Sequence, residues 1–522
     1  MPNDIIKSMV EKPHPIYRQN RAYWDFLLQS YEGGFQYANA MITGKNDTSD
    51  YRSLMRYYVN GVEQSIQTMS SGNLFAHPKE KNEDYQRRLE MSYYYNFCAP
   101  IIDIYKNHLF KDTVMVDWKN IEADLEPRME DIDNKGSSIE EFRRELAEYI
   151  QLYGHSYVVI DQPKADREII TRQDQIDEGL FPYLTIYSPQ QVINWSLDRF
   201  GNPYWVLLYE EGDSNIDPEQ YDPKKQERPN CYFRLWTRTD WYLYDADYER
   251  VEEGFHGLGF VPITCAYDKR SKKVKNFYGI SSVADIAFIA RDVYNSCSEL
   301  RQILRDQTFA FLALQGTASE YSELTLGICK GLLYPEGRNA PEYVSPPADN
   351  AQMYFNHIDR QVAKIYQLAK LEGGSAKFEG QDAVEQSGVS KAWDFNETNS
   401  ALSDKALNLE DAELRIWQQY AIIVGQNKFE GSVQYPNEFS VSSLMEDLNE
   451  AEKAARVQLG ETFMKEVKKA IHKKKFPRAD EKLLVQMEKE LDVVQEEEKK
   501  ANEMVRRFNF LDKNRNAIPS GE

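Results

Sequence analysis

Residues 279–308 read GISSVADIAFIARDVYNSCSELRQILRDQT. Apolar residues fall at 280, 283, 286, 290, 293, 297, 300 and 304. That spacing keeps one face of an α-helix apolar for about eight turns, or about 45 Å at 1.5 Å per residue. Alone, such a helix is ordinary core packing. Its neighbours carry more information. Residues 309–350 hold glycines, prolines and short β-forming runs, and AQMYFNHIDRQVAKIYQLAKLEG then starts a second helix at 351, with Ile358, Val362, Ile365 and Leu368 on one face. The polar stretch LEGGSAKFEGQDAVEQSG (371–388) comes next, and a third long helix is predicted over 389–424 from Leu402, Ala406, Leu409, Ile416, Tyr420 and Ile423. A phosphate cradle, a lid and a loop projecting into a shared cavity would each need a glycine-rich break between two good helices.

Upstream, residues 85–110 (YQRRLEMSYYYNFCAPIIDIYKNHLF) place Leu89, Tyr93, Phe97, Ile101 and Ile104 at helical spacing, with Pro100 expected to kink or split the helix. SIEEFRRELAEYIQLYG (138–154) opens with a Ser-x-x-Glu capping box and closes on Gly154, and HSYVVIDQP reads as a strand. From about 181 to 265, β-branched and aromatic runs separated by turn residues predict an antiparallel meander, with Thr239-Asp240 as one hairpin connection. Residues 441–522 lose strands and most aromatics and read as two charged helices. The fold class is therefore α+β, mainly helical.

The chain has 522 residues, 41% hydrophobic and 13% aromatic, enough for a sizeable packed interior. Its net charge of −21 is the reverse of what gripping duplex DNA through phosphates requires. The 34 tyrosines suit wet interfaces as well as cores. No signal peptide is visible at the N-terminus and no run is long enough to span a bilayer, so no membrane partner is expected. The five cysteines, at 98, 231, 265, 297 and 329, are scattered without a CxxC pair and read as free thiols of a reducing cytoplasm.

Catalytic signatures are missing from the sequence. GxxxxGK[ST], HExxH and GxSxG do not occur. Lys377, the lysine within the glycine stretch, lacks the following hydroxyl and helix start of a phosphate loop. The histidines at 14, 77, 108, 155, 256, 357 and 472 never fall at ligand spacing. Pairs such as Glu320/Glu323, Asp382/Glu385 and Glu496–Glu498 read as solvated faces of an acidic chain. Basic patches at 269–275 (KRSKKVK) and 473–478 (KKKFPR) could touch nucleic acid, but without base-stacking aromatics interleaved on one sheet neither is specific evidence of it. No enzyme, metal site or cofactor is expected.

The order of features resembles a portal protein of a tailed bacteriophage. The resemblance rests on the aromatic start with YQRRLEMSYYYNF, the strand HSYVVID, IYSPQQVINW before GNPYWVLLYEE, and GFVPITCAYD leading into YGISSVADIAFIARDVYNSCSELRQILRDQTFAFLALQG. SGVSKAWDF and YPNEF add to it. It implies a portal fold: a wing over 1–278, a stem helix at 279–308, a small α/β clip at 309–350, a returning stem helix at 351–372, a tunnel loop at 373–388, a long wing helix within 389–440 and a helical crown at 441–522. It implies a homo-oligomeric ring of twelve subunits at one capsid vertex of the virion, made in the host cytoplasm, conducting double-stranded DNA in packaging and ejection without binding it tightly. Implied partners are the terminase large subunit, a head-tail adaptor and the major capsid or scaffold protein.

Under that resemblance Ser375, Lys377, Glu379, Gln381 and Asp382 face the DNA channel, and Gly373, Gly374, Gly380 and Gly388 are loop hinges, since Gly opens backbone conformations closed to other residues. Glu320, Tyr321, Glu323, Arg338 and Tyr343 become clip contacts. Glu379, Asp382 and Glu385 would keep phosphate contact loose, and a twelve-subunit ring would carry a charge on the order of −250. Two other readings compete: a non-portal virion adaptor or scaffold, and a metal-dependent nuclease whose carboxylates meet only in three dimensions.

Overall fold

The computed structural model describes residues 3–38, 57–59, 62–64, 73–77, 80–163, 179–211, 231–274, 276–308, 311–313, 342–344, 348–371, 388–437 and 439. The chain divides into two units, Met1–Leu109 with Met115–Asn437, and Phe110–Val114 with Glu438–Glu522. In the second, residues 110–112 turn and 113–114 take no regular form; the crown expected at 441–522 lies outside the described residues. The first unit holds all the described helices and strands.

Its N-terminal helices are α1 (Asn3–Glu11), α2 (Pro15–Glu32), α3 (Gly34–Ala38), α4 (Asn82–Met91) and α5 (Cys98–Leu109). The helix expected across 85–110 is broken, but not by Pro100. The chain leaves helical geometry over 92–97, and Pro100 sits in the first turn of α5, where a missing N–H costs nothing. The expected face changes with it. Tyr93 and Ile104 are exposed, while Cys98, Ile101, Ile102, Tyr105 and Leu109 are buried. A short α6 (Glu122–Leu125) precedes α7 (Ile139–Tyr153). The capping box of α7 forms as expected, with Ser138 and Glu141 exchanging side-chain and backbone bonds. Gly154 ends the helix at φ +87, and a Cβ there would lie 2.4 Å from the Ile280 and Ser281 backbone. Only glycine allows that approach.

The strands are β1 (Tyr57–Val59), β2 (Val62–Gln64), β3 (Met115–Asp117), β4 (His155–Asp161), β5 (Tyr183–Tyr187), β6 (Val192–Leu197), β7 (Pro203–Glu211), β8 (Cys231–Thr237), β9 (Asp240–Tyr244), β10 (Arg250–Phe255) and β11 (Ile263–Tyr267). The meander is real and runs β10-β9-β8-β7-β6, each neighbour antiparallel. Two of its expected members belong elsewhere. β5 and β11 flank β4 in a separate three-stranded sheet, because β4 is buried along six of its seven residues and its backbone groups then need partners on both edges. The β8–β9 turn is Arg238-Thr239, one residue earlier than expected, since Asp240 already pairs with Phe255. β10 leaves no strand signal in the sequence because RVEEGF is charged and exposed, as an edge strand tolerates.

The helix read over 279–308 is α8 (Ala284–Thr308), 25 residues or about 37 Å, shorter than the periodicity suggests. Its first five expected residues are used otherwise: Gly279 bridges Arg270, the Ile280 N–H donates to Lys269 O at 2.8 Å, and Ser281 Oγ donates to Gln151 O at 3.0 Å. Val283, Ile286, Ala290, Val293 and Leu300 are buried, whereas Leu304 is 40% exposed, so burial fades along the helix. β12 (Phe311–Ala313) pairs antiparallel with β13 (Glu342–Val344). α9 (Ala348–Leu368) runs back along α8, with Tyr354 donating to Glu299 at 2.6 Å and His357 meeting Asp292 at 2.9 Å. Of its expected face only Ile365 is fully buried; Met353, Phe355 and Leu368 are exposed. α10 (Gly388–Ile423) spans 36 residues, and β14 (Ser432–Gln434) pairs with β3.

Candidate functional site

The stretch between α9 and α10 is the sequence's most distinctive feature, and residues 372–387 of it lie outside the described residues. Its two anchors are described, and they are built from buried polar contacts. α9 ends in a Schellman motif: Leu371 N–H donates to Tyr366 O and Lys370 N–H to Gln367 O, each at 3.0 Å. The left-handed residue this motif needs is Lys370, φ +52, even though Gly373 lies only three positions later. The carbonyls just past the helix are held too. Tyr105 Oη of α5 donates to Ala369 O, and Thr398 Oγ1 of α10 donates to Lys370 O. Burial, then the Asp268 charge, raises the Tyr105 phenol pKa, so its hydroxyl stays a donor.

Two turns further along α10, Lys405 Nζ pairs with Asp268 Oδ1 and donates to Ser282 Oγ, which itself donates to Asp268 Oδ2. The ammonium lies 5.2 Å from the Tyr105 ring centroid, and Asn408 Nδ2 donates to Asp268 O at 2.7 Å. Lys405 and Asp268 are both buried. One cluster thus joins the end of β11, the residues before α8, α5 and α10. Breaking a buried pair by removing one partner costs about 3–5 kcal/mol.

A second cluster fixes the far half of α10. Arg143 of α7 chelates Glu413, Nε to Oε1 at 3.0 Å and Nη2 to Oε1 at 2.6 Å, and Trp417 Nε1 and Tyr435 Oη donate to the same carboxylate at 2.9 and 2.7 Å. Burial would lower the Arg143 pKa, and Glu413 more than reverses it. Burial, followed by Glu413, raises the Tyr435 phenol well above its usual value.

The sequence-derived site residues fall around this frame. Ser375, Lys377, Glu379, Gln381, Asp382, Gly373, Gly374 and Gly380 lie outside the described residues, as do Glu320, Tyr321, Glu323 and Arg338. Gly388 is the first residue of α10. Tyr343 is the central residue of β13, opposite Leu312. Sequence reading misses Lys405 and Glu413, although a signal exists. Both interrupt the apolar stripe of Leu402, Ala406, Leu409, Ala412 and Ile416, and a charge on a buried face demands a partner. Among the described residues no group of three His, Cys, Asp or Glu side chains could hold a metal ion, and no helix is long and apolar enough to cross a membrane. Cys98, Cys231, Cys265 and Cys297 are free thiols; Cys329 lies outside the described residues.

No protein-family model and no curated protein matches the chain. Among solved structures it is similar to a chain in the virion of a native gene transfer agent (GTA) particle, with a TM-score of 0.36 and 11% identity over 69% of this chain and 84% of that one. It is also similar to a chain in the neck of an empty GTA particle computed with C6 symmetry, with a TM-score of 0.37 and 10% identity over 69% and 85%. Superpositions this loose fix neither fold nor function.

Proposed function

We propose that this chain is the subunit of a phage portal: a homo-oligomeric ring at one capsid vertex of a virion, without catalytic activity of its own, that conducts double-stranded DNA during packaging and ejection. The observation that carries the reading is the arrangement of 284–423. A long helix leads to a paired strand couple, an antiparallel helix returns, and sixteen residues, polar and glycine-bearing in sequence, join anchors that buried contacts hold in place. Anchors of that kind suit a loop that must present its tip at a constant place. The acidic excess suits a passage along which phosphates slide. In this reading 309–350 forms the clip that meets the terminase large subunit and a head-tail adaptor, and 441–522 forms a crown.

Negative-stain electron microscopy of the purified full chain at micromolar concentration tests it. Rings with an axial channel are expected; a uniform monomer, with or without added duplex DNA, overturns the proposal.

A further inference from the structure

The five-stranded sheet is polarised along its strands. At one end lie the β6–β7 turn, the β8–β9 turn and the residues after β10. This end exposes Phe200 (72%), Tyr204 (55%) and Phe255 (77%). Arg199 lies 4.6 Å from the Phe200 ring centroid and Arg238 4.8 Å from that of Tyr204. The loop after β11 joins the same end, because a Cβ on Gly201 would fall 2.0 Å from Asn276 Nδ2. That loop carries exposed Lys269, Lys272 and Lys273. Against these cations stand Asp198, paired with Arg238 at 3.0 Å, and Asp240. The patch is aromatic and basic, on a chain of net charge −21.

Among the described residues the opposite end carries the other sign. There the β9–β10 turn exposes Asp247 and Glu249, and Asp245 caps it by accepting from the Asp247 and Glu249 N–H groups at 3.0 and 2.9 Å. β7 ends there at exposed Glu211. Asp245 and Glu211 both lie near Cys231, adding to burial in raising its thiol pKa. On this turn Glu249 accepts from Asn3 Nδ2 at 2.8 Å, and Arg250 pairs with Glu253 at 2.8 Å.

Like ends of two copies repel, and unlike ends attract, so self-association through this sheet is directional. A head-to-tail contact of one patch with a different patch is the heterologous kind that closes into rings. The exposed aromatics flanked by Arg are the side chains that anchor protein interfaces. We infer that the basic aromatic end of the sheet, centred on Phe200, Tyr204, Lys272 and Lys273, docks on the acidic β9–β10 turn of a second copy of this chain. The inference rests on the ring reading above and names the surfaces that build it.

Charge exchange tests it in the full chain. Lys272→Glu/Lys273→Glu raises the protein concentration for half-assembly by roughly tenfold or more at low salt, as does Asp247→Lys/Glu249→Lys, with circular dichroism unchanged. Combining the two pairs in one chain restores assembly. Phe200→Ala weakens assembly at every salt concentration. If the unaltered chain forms no rings, the portal reading falls and takes this contact with it. If it forms rings and both reversals assemble as well as it does, or the combined chain is not rescued, the contact alone is overturned. Loss of single-stranded oligonucleotide binding from intact K272E/K273E rings would assign the patch to nucleic acid instead, and equally overturns it.

Discussion

His155 shows how a single residue can be fixed by its surroundings against its own chemistry. It opens β4 directly after Gly154, is fully buried, and sits among the rings of Trp24, Tyr157 and Tyr278 at centroid distances of 5.4–5.6 Å. Among the described residues neither ring nitrogen has a hydrogen-bond partner of good geometry. Burial dominates over the Tyr153 backbone, which favours the charged ring, and lowers the pKa to about 3. Above the unfolded value near 6.5 the imidazole is neutral in both states and its contribution to stability is whole. As pH falls from 6.5 towards 3 the unfolded chain takes up a proton that the folded chain refuses, and up to about 4–5 kcal/mol is lost. Wild-type chain is therefore expected to unfold at progressively lower urea concentration between pH 6.5 and 4. His155→Phe, which keeps the aromatic packing and removes the titration, should flatten that dependence. Identical pH slopes for the two proteins would sink the assignment. Nothing in the sequence marks this histidine as the buried one among the six described; its setting is assembled from α2, β4 and the 277–278 loop.

At the scale of elements, legibility tracks pattern strength. α7 is readable to its caps because Ser138, Glu141 and Gly154 each carry a local instruction. α10 is readable from its apolar stripe, which the structure buries at Leu402, Ala406, Leu409, Ile416 and Tyr420. α8 looks longer in sequence than it is because Ile280 continues its period by coincidence while its backbone bonds to Lys269. The partition of strands into two sheets is not readable, since alternation fixes a strand's faces and not its neighbours. The anchor of the 372–387 stretch is hidden for another reason: Tyr105, Asp268 and the pair Thr398 and Lys405 come from three separated segments. The stop of α9 is the instructive case. Adjacent glycines suggest where the helix should end, yet it ends at Lys370 in the left-handed region, at a cost of about 1–2 kcal/mol for a residue with a Cβ. Lys370→Gly should thus stabilise the fold, by about 0.5–1 kcal/mol after the greater freedom of the unfolded chain is counted. A thermal midpoint raised by about 1–2 °C checks this, with Lys370→Ala, which relieves nothing, as control. A lowered midpoint for the glycine variant would mean that the αL geometry is not the one this helix end adopts.

For the whole molecule, the proposed conduit makes charge a functional variable, and the residues that set it can be separated from those that hold the frame. Glu379, Asp382 and Glu385 belong to the stretch between the anchors, whereas the anchors use Tyr105, Thr398, Lys405 and Asp268. Reversing the three carboxylates to lysine changes the loop's charge by six per subunit, three negatives lost and three positives gained, without touching an anchor. In the ring this multiplies around the bore, where the summed field acts on a polyanion. Rings of the triple variant are expected to form as before and to retain linear duplex DNA at low ionic strength, releasing it steeply as salt rises, because each phosphate neutralised adds a released counterion to the salt dependence. Unaltered rings should retain little DNA at any salt. Gel-shift titrations at several salt concentrations on ring fractions checked by microscopy make the comparison. Equal retention by the two would show that these carboxylates do not face the DNA path, and would remove the loop from the channel while leaving the ring itself standing.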